Sequence, residues 1–582
     1  MPKSLDALLT LLEAAKNTFG RAAAAETRSL LDQVSRQEFP DAKSLLCFHE
    51  ALLFLRAFPQ SASLVTQIER RLNRFYERTE KLRALGADMD AFDDFDTSGI
   101  AGTTMQDTLN FEAARWLVRR IPRNVEIAWD DYTDDYQAER AMGSTWPRFI
   151  PLLEEDADVE ANIPWRRWLD ATRGHERDFE WLIRRFEQLS VTDRERAELY
   201  DSLRLPLRWH LKNLKLSRTR HWFHPRRFFV HTEPLITRSQ VSLARELALP
   251  APRLTKLSRR EGESVRHTIR EVMLVRYREL YGTTLGDPAS VVRADLGRGV
   301  VMYFWNLPPD RRLPLRAYVA GFTLKNGVPI NYIEAIGICE WIEVGFNTFY
   351  TYRHGETAWI YAQSLRCLCA LTGATTISVY PYQIGQNNDE AIDSGAFWFY
   401  RKLGFRSGRS DLEMLARRKE QKIAANPQYR TSKNTLKRLA ETHVLYELKQ
   451  SGKGTPSNRA TKPKSGSWDT FSTRNLALRV NRRMARDFGG DATRMRDACV
   501  KEIARALSLN PRRWSALERR ALENWSLVLA QVPDLAHWLP QEKEDLAKII
   551  RSQLAANEMQ YLRRTQAHPR LRATLLHLGA KP

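Results

Sequence analysis

Three carboxylates, Glu334, Glu340 and Glu343, stand close together in a β-rich part of the chain. Partial burial raises a carboxylate's pKa toward neutrality, where it can take a proton from an attacking nucleophile. Glu343 lies six residues before Phe349, so a regular strand puts the two on one face. Any of the three could face a substrate cleft, and Glu343 is the favoured base. Just downstream, Tyr352-Arg353-His354-Gly355-Glu356-Thr357-Ala358 stands where a strand hands over to a helix. Free backbone N–H groups and the positive end of the helix dipole make such a start an anion cradle. The bland alternative for Glu356 is a first-turn acid that stabilises its helix.

The surrounding pattern supplies elements to hold these groups. Residues 258–281 carry apolar side chains at helical spacing (Val265, Ile269, Val272, Met273). Strands are expected at Val300–Trp305, Tyr318–Leu324, Pro329–Ile338 and Trp341–Phe349, with Asn326-Gly327 as the hairpin turn between the second and third. A helix over Glu356–Leu371, a strand over Thr375–Tyr380 and a helix from Glu390 to Leu403, stopped by Gly404, follow. The order is helix, strand meander, helix, strand, helix.

Ala396-Phe-Trp-Phe-Tyr400-Arg-Lys-Leu-Gly404-Phe405 resembles the A-x-x-x-Y-x-x-x-G-F signature of the GNAT (GCN5-related N-acetyltransferase) superfamily, and the Arg353–Ala358 stretch resembles its R-x-x-G-x-[GA] pyrophosphate loop. The resemblance spans residues 259–410, within a central domain placed at 216–450. It implies an α/β (α+β) mixed-sheet fold and transfer of an acyl group from acetyl-CoA or another acyl-CoA to an amine. It also implies that Tyr400 protonates the thiolate leaving group, and that Thr348, Phe349 and Tyr350 receive the acyl carbonyl and pantetheine amides. The pyrophosphate would lie on Arg353, His354, Gly355, Glu356, Thr357 and Ala358. Glu356 occupies a position the family gives to glycine, and Asp393 one it gives to asparagine, for which Asn388 is the nearby substitute. Core packing with Phe397 and Phe405 is the other reading of Tyr400.

The flanks read as helical: an acidic N-terminal region over 1–215 and a small basic C-terminal domain over 468–582, joined to the centre by a Gly/Ser/Pro/Lys-rich linker at 451–467. A formal charge of +21 is unevenly placed, acids prevailing before residue 204 and cations after it. Between Arg204 and Arg227 cations alternate with Trp209, Trp222 and Phe223, a mixture suited to RNA or tRNA, or to docking on the acidic head. A transferase using aminoacyl-tRNA, or a non-catalytic RNA- or protein-binding module, is thus an alternative. Five scattered cysteines and three histidines (His221, His224, His231) without acids at ligand spacing give neither a disulfide framework nor a metal site. No apolar run is long enough for a membrane span, and a cytoplasmic location is expected.

Overall fold

The computed structural model describes residues 3–94, 96–132, 136–151, 165–212, 214–225, 227–278, 280–448 and 466–581. The expected linker therefore lies outside the described residues up to position 465, as does Arg226 of the basic run. The protein is mixed α/β, with one nine-stranded and one three-stranded sheet.

Five helices open the chain: α1 (Leu5–Ala15), α2 (Arg21–Ser35), α3 (Ala42–Ala57), α4 (Ala62–Asn73) and α5 (Phe75–Ala84). The stripe expected in α4 is buried as Val65, Ile68 and Leu72, and Ser61 caps the helix by accepting from the Leu64 N–H. These helices share a hydrophobic core with the large sheet. Residues 105–216 instead build a separate core around β1 (Thr104–Thr108), β2 (Val125–Ile127) and β3 (Pro206–His210), ordered β1-β3-β2. The mostly helical region expected over 1–215 thus contributes to two hydrophobic cores.

The large sheet holds β4 (Leu254–Lys256), β5 (Val292–Asp295), β6 (Val300–Trp305), β7 (Ala317–Lys325), β8 (Val328–Ile338), β9 (Trp341–Thr348), β10 (Thr376–Val379), β11 (Arg406–Ser407) and β12 (Val444–Glu447). Its order is β11-β12-β10-β9-β8-β7-β6-β5-β4. Helix α6 (Arg259–Leu274), started by a Ser258/Glu261 capping box, packs Ile269, Val272 and Met273 on one face. Helix α7 (Thr357–Thr372) covers the other, with Tyr361 edge-on to Phe346. The β7–β8 turn has φ +47° at Asn326 and +77° at Gly327, the paired positive angles a two-residue hairpin requires.

All pairings in this sheet are antiparallel except β9 with β10, and that pairing is short: Trp341 with Thr376, Ile342 with Ile377, Glu343 with Ser378. Pro381, which has no N–H to add to the ladder, turns the chain off β10, while β9 runs on to Thr348. The two strands part there. Beyond β10 the single helix expected over 390–403 is two, α8 (Asp389–Asp393) and α9 (Ala396–Lys402), broken at Gly395 with φ +68°. The C-terminal helices, from Thr473–Phe488 to Pro569–Ala580, dock on the β8–β9 turn, where Trp468 stacks on Trp341.

Where α3 meets the sheet, His49 is buried between Glu50 (3.0 Å) and Thr219 (2.9 Å). Burial lowers its pKa to about 4, and lowers that of His231 to about 3. Both are neutral in the folded protein at pH 7. The unfolded chain protonates them near pH ~6.5, so stability is complete above that value and is lost as pH falls toward 4. His49 alone contributes on the order of 3 kcal/mol to this loss. Urea unfolding at pH 7.5, 5.5 and 4.5 should therefore show a midpoint that drops steeply. A flat midpoint over that range would contradict the burial of these rings.

Among the described residues no helix is long and apolar enough to cross a membrane.

Candidate active site

The parting of β9 from β10 opens a cleft of about 390 Å3. Its floor is the end of β9, Phe346 to Phe349; its walls include Tyr332 and Glu334 of β8, Gln383, Asn388 and Tyr400. From Val344 onward β9 has no strand partner on its β10 side, since the parallel register ends at Glu343. Such an unpaired edge offers backbone donors and acceptors to an extended, amide-bearing ligand, as an added strand would use them.

Of the ionisable groups that line this space, Glu334 and Tyr400 suit proton transfer. Glu334 sits opposite Gly345, so no side chain on β9 fills the room before it. The Tyr318 hydroxyl donates to its carboxylate, and Tyr318 is itself steadied by the Gly282 N–H at 3.1 Å. Burial raises the Glu334 pKa above the ordinary carboxylate range, against the lowering pull of Tyr318. Tyr400, on α9, is buried against Tyr361, Phe399 and Phe405. Burial pushes its phenol pKa up, so the hydroxyl keeps its proton.

The base expected from the sequence is displaced by this geometry. Glu343 does not line the cleft: it lies in the last closed row of the sheet, between Ile336 and Ser378, and is drawn toward Arg316 at 3.5 Å. Glu340 is buried at the β8–β9 turn against Arg572 and the Trp468 indole. Of these three glutamates only Glu334 lines the cleft, where Asp96 and Glu390 join it from other segments.

The remaining expected residues divide. Thr348, Phe349, Arg353, Thr357 and Asn388 line the cleft with Tyr400. Asn388 also spends its amide on structure, capping α8 through Ala391 and donating to the Tyr382 carbonyl. Tyr350 and His354 turn to a neighbouring cavity between α1 and α3, which shares Arg353 with the cleft. Ala358 is core. Gly355 lies beneath the N-terminal helices: a Cβ there would come within 2.5 Å of Phe58.

Glu356 is fully buried and does not line the cleft. Its carboxylate meets Lys325 of the β7–β8 hairpin at 2.9 Å, pairs with Arg298, and accepts from the Ile236 N–H. Burial alone would raise its pKa, but Lys325 and Arg298 outweigh it and the group stays ionised. It neither plugs the cleft nor faces an anion there.

Three further lining residues were not among the site residues expected from the sequence. Asp96 arrives from the loop after α5, Arg278 from the segment after α6, and Gln383 from the turn after β10. Asp96-Thr97-Ser98-Gly99 reads locally as a polar, glycine-bearing loop with the option of binding, but the partners of Asp96, Arg353 (3.4 Å) and Arg278 (3.8 Å), are remote in sequence. Among the described residues no group of three or more His, Cys, Asp or Glu is placed to hold a metal ion.

In the run Arg204–Arg227 two of the cations are paired internally: Arg208 with Asp130 and Asp131, Arg218 with Glu50. Arg227 and the exposed Phe228 line a groove against β5 and β6 together with Arg293 and Tyr303. Compared with known proteins, the chain matches no family model, no curated protein and no solved structure, so the functional reading rests on this cleft and on the residues quoted above.

Proposed function

We propose that the protein is a GNAT-like N-acyltransferase that moves an acyl group from acetyl-CoA or another acyl-CoA to an amine. The observation that supports this best is the pairing of Glu334 and Tyr400 in one cleft beside the unpartnered edge of β9. The amine nitrogen attacks the thioester carbonyl, so that a C–N bond forms and the C–S bond breaks. Glu334 takes the proton the amine sheds, and Tyr400 gives its phenolic proton to the departing thiolate. The products are an amide and a free thiol. The β9 edge holds the acyl carbonyl and the donor's amide-bearing arm, which restricts the reacting atoms to a productive approach.

Glu334 must be ionised to act, so the rate rises with pH through its raised pKa and the acidic limb lies above that of an ordinary carboxylate. Glu334→Gln should lower thiol release from acetyl-CoA, in the presence of an amine panel, by about 100-fold and abolish that limb. Thiol release that is unchanged in the variant, or absent with every acyl-CoA and amine, would sink the reading.

One feature favours a second donor, aminoacyl-tRNA. The groove at Arg227, Phe228, Arg293 and Tyr303 combines cations with accessible rings, a composition suited to single-stranded nucleic acid. Bulk tRNA binding that weakens steeply with salt and with Phe228→Ala, alongside no affinity for coenzyme A, would select it.

A further inference from the structure

The loop from Asp96 to Thr103 has no role in the mechanism above, yet it brings one side chain into the lining of the cleft. Gly99 has φ +82°, and a Cβ there would lie 2.3 Å from the Val275 carbonyl oxygen. Ser98 donates to the same carbonyl at 3.1 Å. The Arg218 N–H donates to the Gly99 carbonyl at 2.6 Å, and the Arg218 guanidinium to the Asp96 carbonyl at 3.2 Å. Arg218 is in turn held by Glu50 and by Thr351 (2.9 Å), both buried. The backbone is pinned on two sides, so the Asp96 carboxylate can leave only by turning about its own side-chain bonds.

That carboxylate lies between two guanidiniums from different parts of the central domain, Arg353 at 3.4 Å and Arg278 at 3.8 Å. Arg353 also holds Glu390 of α8 at 2.5 Å. Two guanidiniums converging from separate elements on one anion form an arrangement suited to phosphate oxygens, which present more acceptors and more charge than a carboxylate. Asp96 and Arg353 line both the cleft and the neighbouring cavity, so this ion pair stands where a ligand filling the cleft would extend outward.

We propose that Arg278 and Arg353 form the site for the donor's phosphates, and that Asp96 is a built-in competitor for it, a specificity-determining residue that sets how much negative charge a donor needs. The inference rests on the phosphorylated-donor reading of the cleft. A diphosphate displaces the carboxylate, which swings away; a neutral thioester handle gains nothing from the arginines.

Calorimetric titration of the full chain with coenzyme A, and separately with inorganic pyrophosphate, tests this. Asp96→Asn keeps the side-chain shape and removes the charge, and should tighten both ligands about tenfold. Arg278→Gln should weaken both by a similar factor, and the double variant should lose the gain of Asp96→Asn, because that gain needs the arginine. Unchanged or weaker pyrophosphate binding by Asp96→Asn overturns the competitor role, whether or not coenzyme A binds. Tighter pyrophosphate binding with no affinity for coenzyme A in any variant supports the competitor and removes the acyl-CoA reading instead. Asp96→Ala should repeat the tightening, and failure to do so also counts against the proposal.

Discussion

Tyr400→Phe is expected to lower kcat for acyl transfer by about 100- to 1,000-fold, with donor KM changed little and thermal stability retained. The ring is packed on Tyr361, Phe399 and Phe405, contacts that phenylalanine preserves. Among the described residues its hydroxyl has no protein partner, so the substitution leaves no buried donor or acceptor orphaned. What is lost is a proton at the leaving group. Donors with a more acidic thiol need that proton less, so the deficit should shrink with an aryl thioester. A purely structural tyrosine, filling the core beside Phe405, would give a variant as fast as the wild type. Rate and melting temperature measured together separate the two roles.

Lys325→Met should destabilise the protein by about 3 kcal/mol, the order of loss when one partner of a buried ion pair is removed. Lys325 and Glu356 are both fully buried, and the ammonium also lies over the rings of Phe58 (5.0 Å) and Phe229 (5.3 Å). Burial lowers the Lys325 pKa to about 8, against the pull of Glu356, so the pair holds its charge at neutral pH only because each partner is present. In the variant Glu356 keeps Arg298 but loses its closest fully buried counter-charge. Adding Glu356→Gln should recover at least half of the loss, by neutralising the stranded carboxylate. Denaturant titrations of the four members of the cycle measure this directly. Coenzyme A affinity of the folded variant should match that of the wild type; a large change would mean that Glu356 acts on the donor after all.

Glu356 also shows where sequence reading stops. At the start of a helix that resembles a pyrophosphate loop, a carboxylate reads as an obstacle to phosphate. Its partner Lys325 lies 31 residues earlier in a hairpin, and only the packing of that hairpin on the helix start turns the acid into a structural ion pair. The hairpin itself was legible, because Asn326-Gly327 takes positive φ values that most residues avoid. The helix over Thr357–Thr372 and the strands β6 to β9 were legible for similar reasons: long, strongly patterned runs reach a structure that local preference already favours. Short strands such as β4, β5 and β12 carry too few residues for a pattern. The β1-β3-β2 sheet joins strands about a hundred residues apart, so periodicity cannot reveal it.

The choice of base illustrates a finer limit. Glu343 and Glu334 project from the same face of the sheet, and alternation alone does not separate them. The difference is where the sheet opens: the Glu343–Ser378 row is closed, whereas the Glu334–Gly345 row lies beyond the last pairing with β10. Gly345, opposite Glu334, was the available signal, since a glycine there leaves space for a carboxylate to face a ligand. Asp96 offered only a polar, glycine-bearing loop. Its place depends on Gly99 fitting against Val275 and on a buried network through Arg218 and Glu50, contacts that link parts of the chain more than a hundred residues apart.

A crystal structure of the protein with an acetyl-CoA analogue whose thioester is replaced by a thioether ketone tests the central claim most directly. The sulfur should lie within about 4 Å of the Tyr400 hydroxyl, with the carbonyl against the β9 edge and its electrophilic carbon open to the side of Glu334. Density for the analogue elsewhere on the protein, or a cleft that stays empty at saturating analogue, would contradict the account.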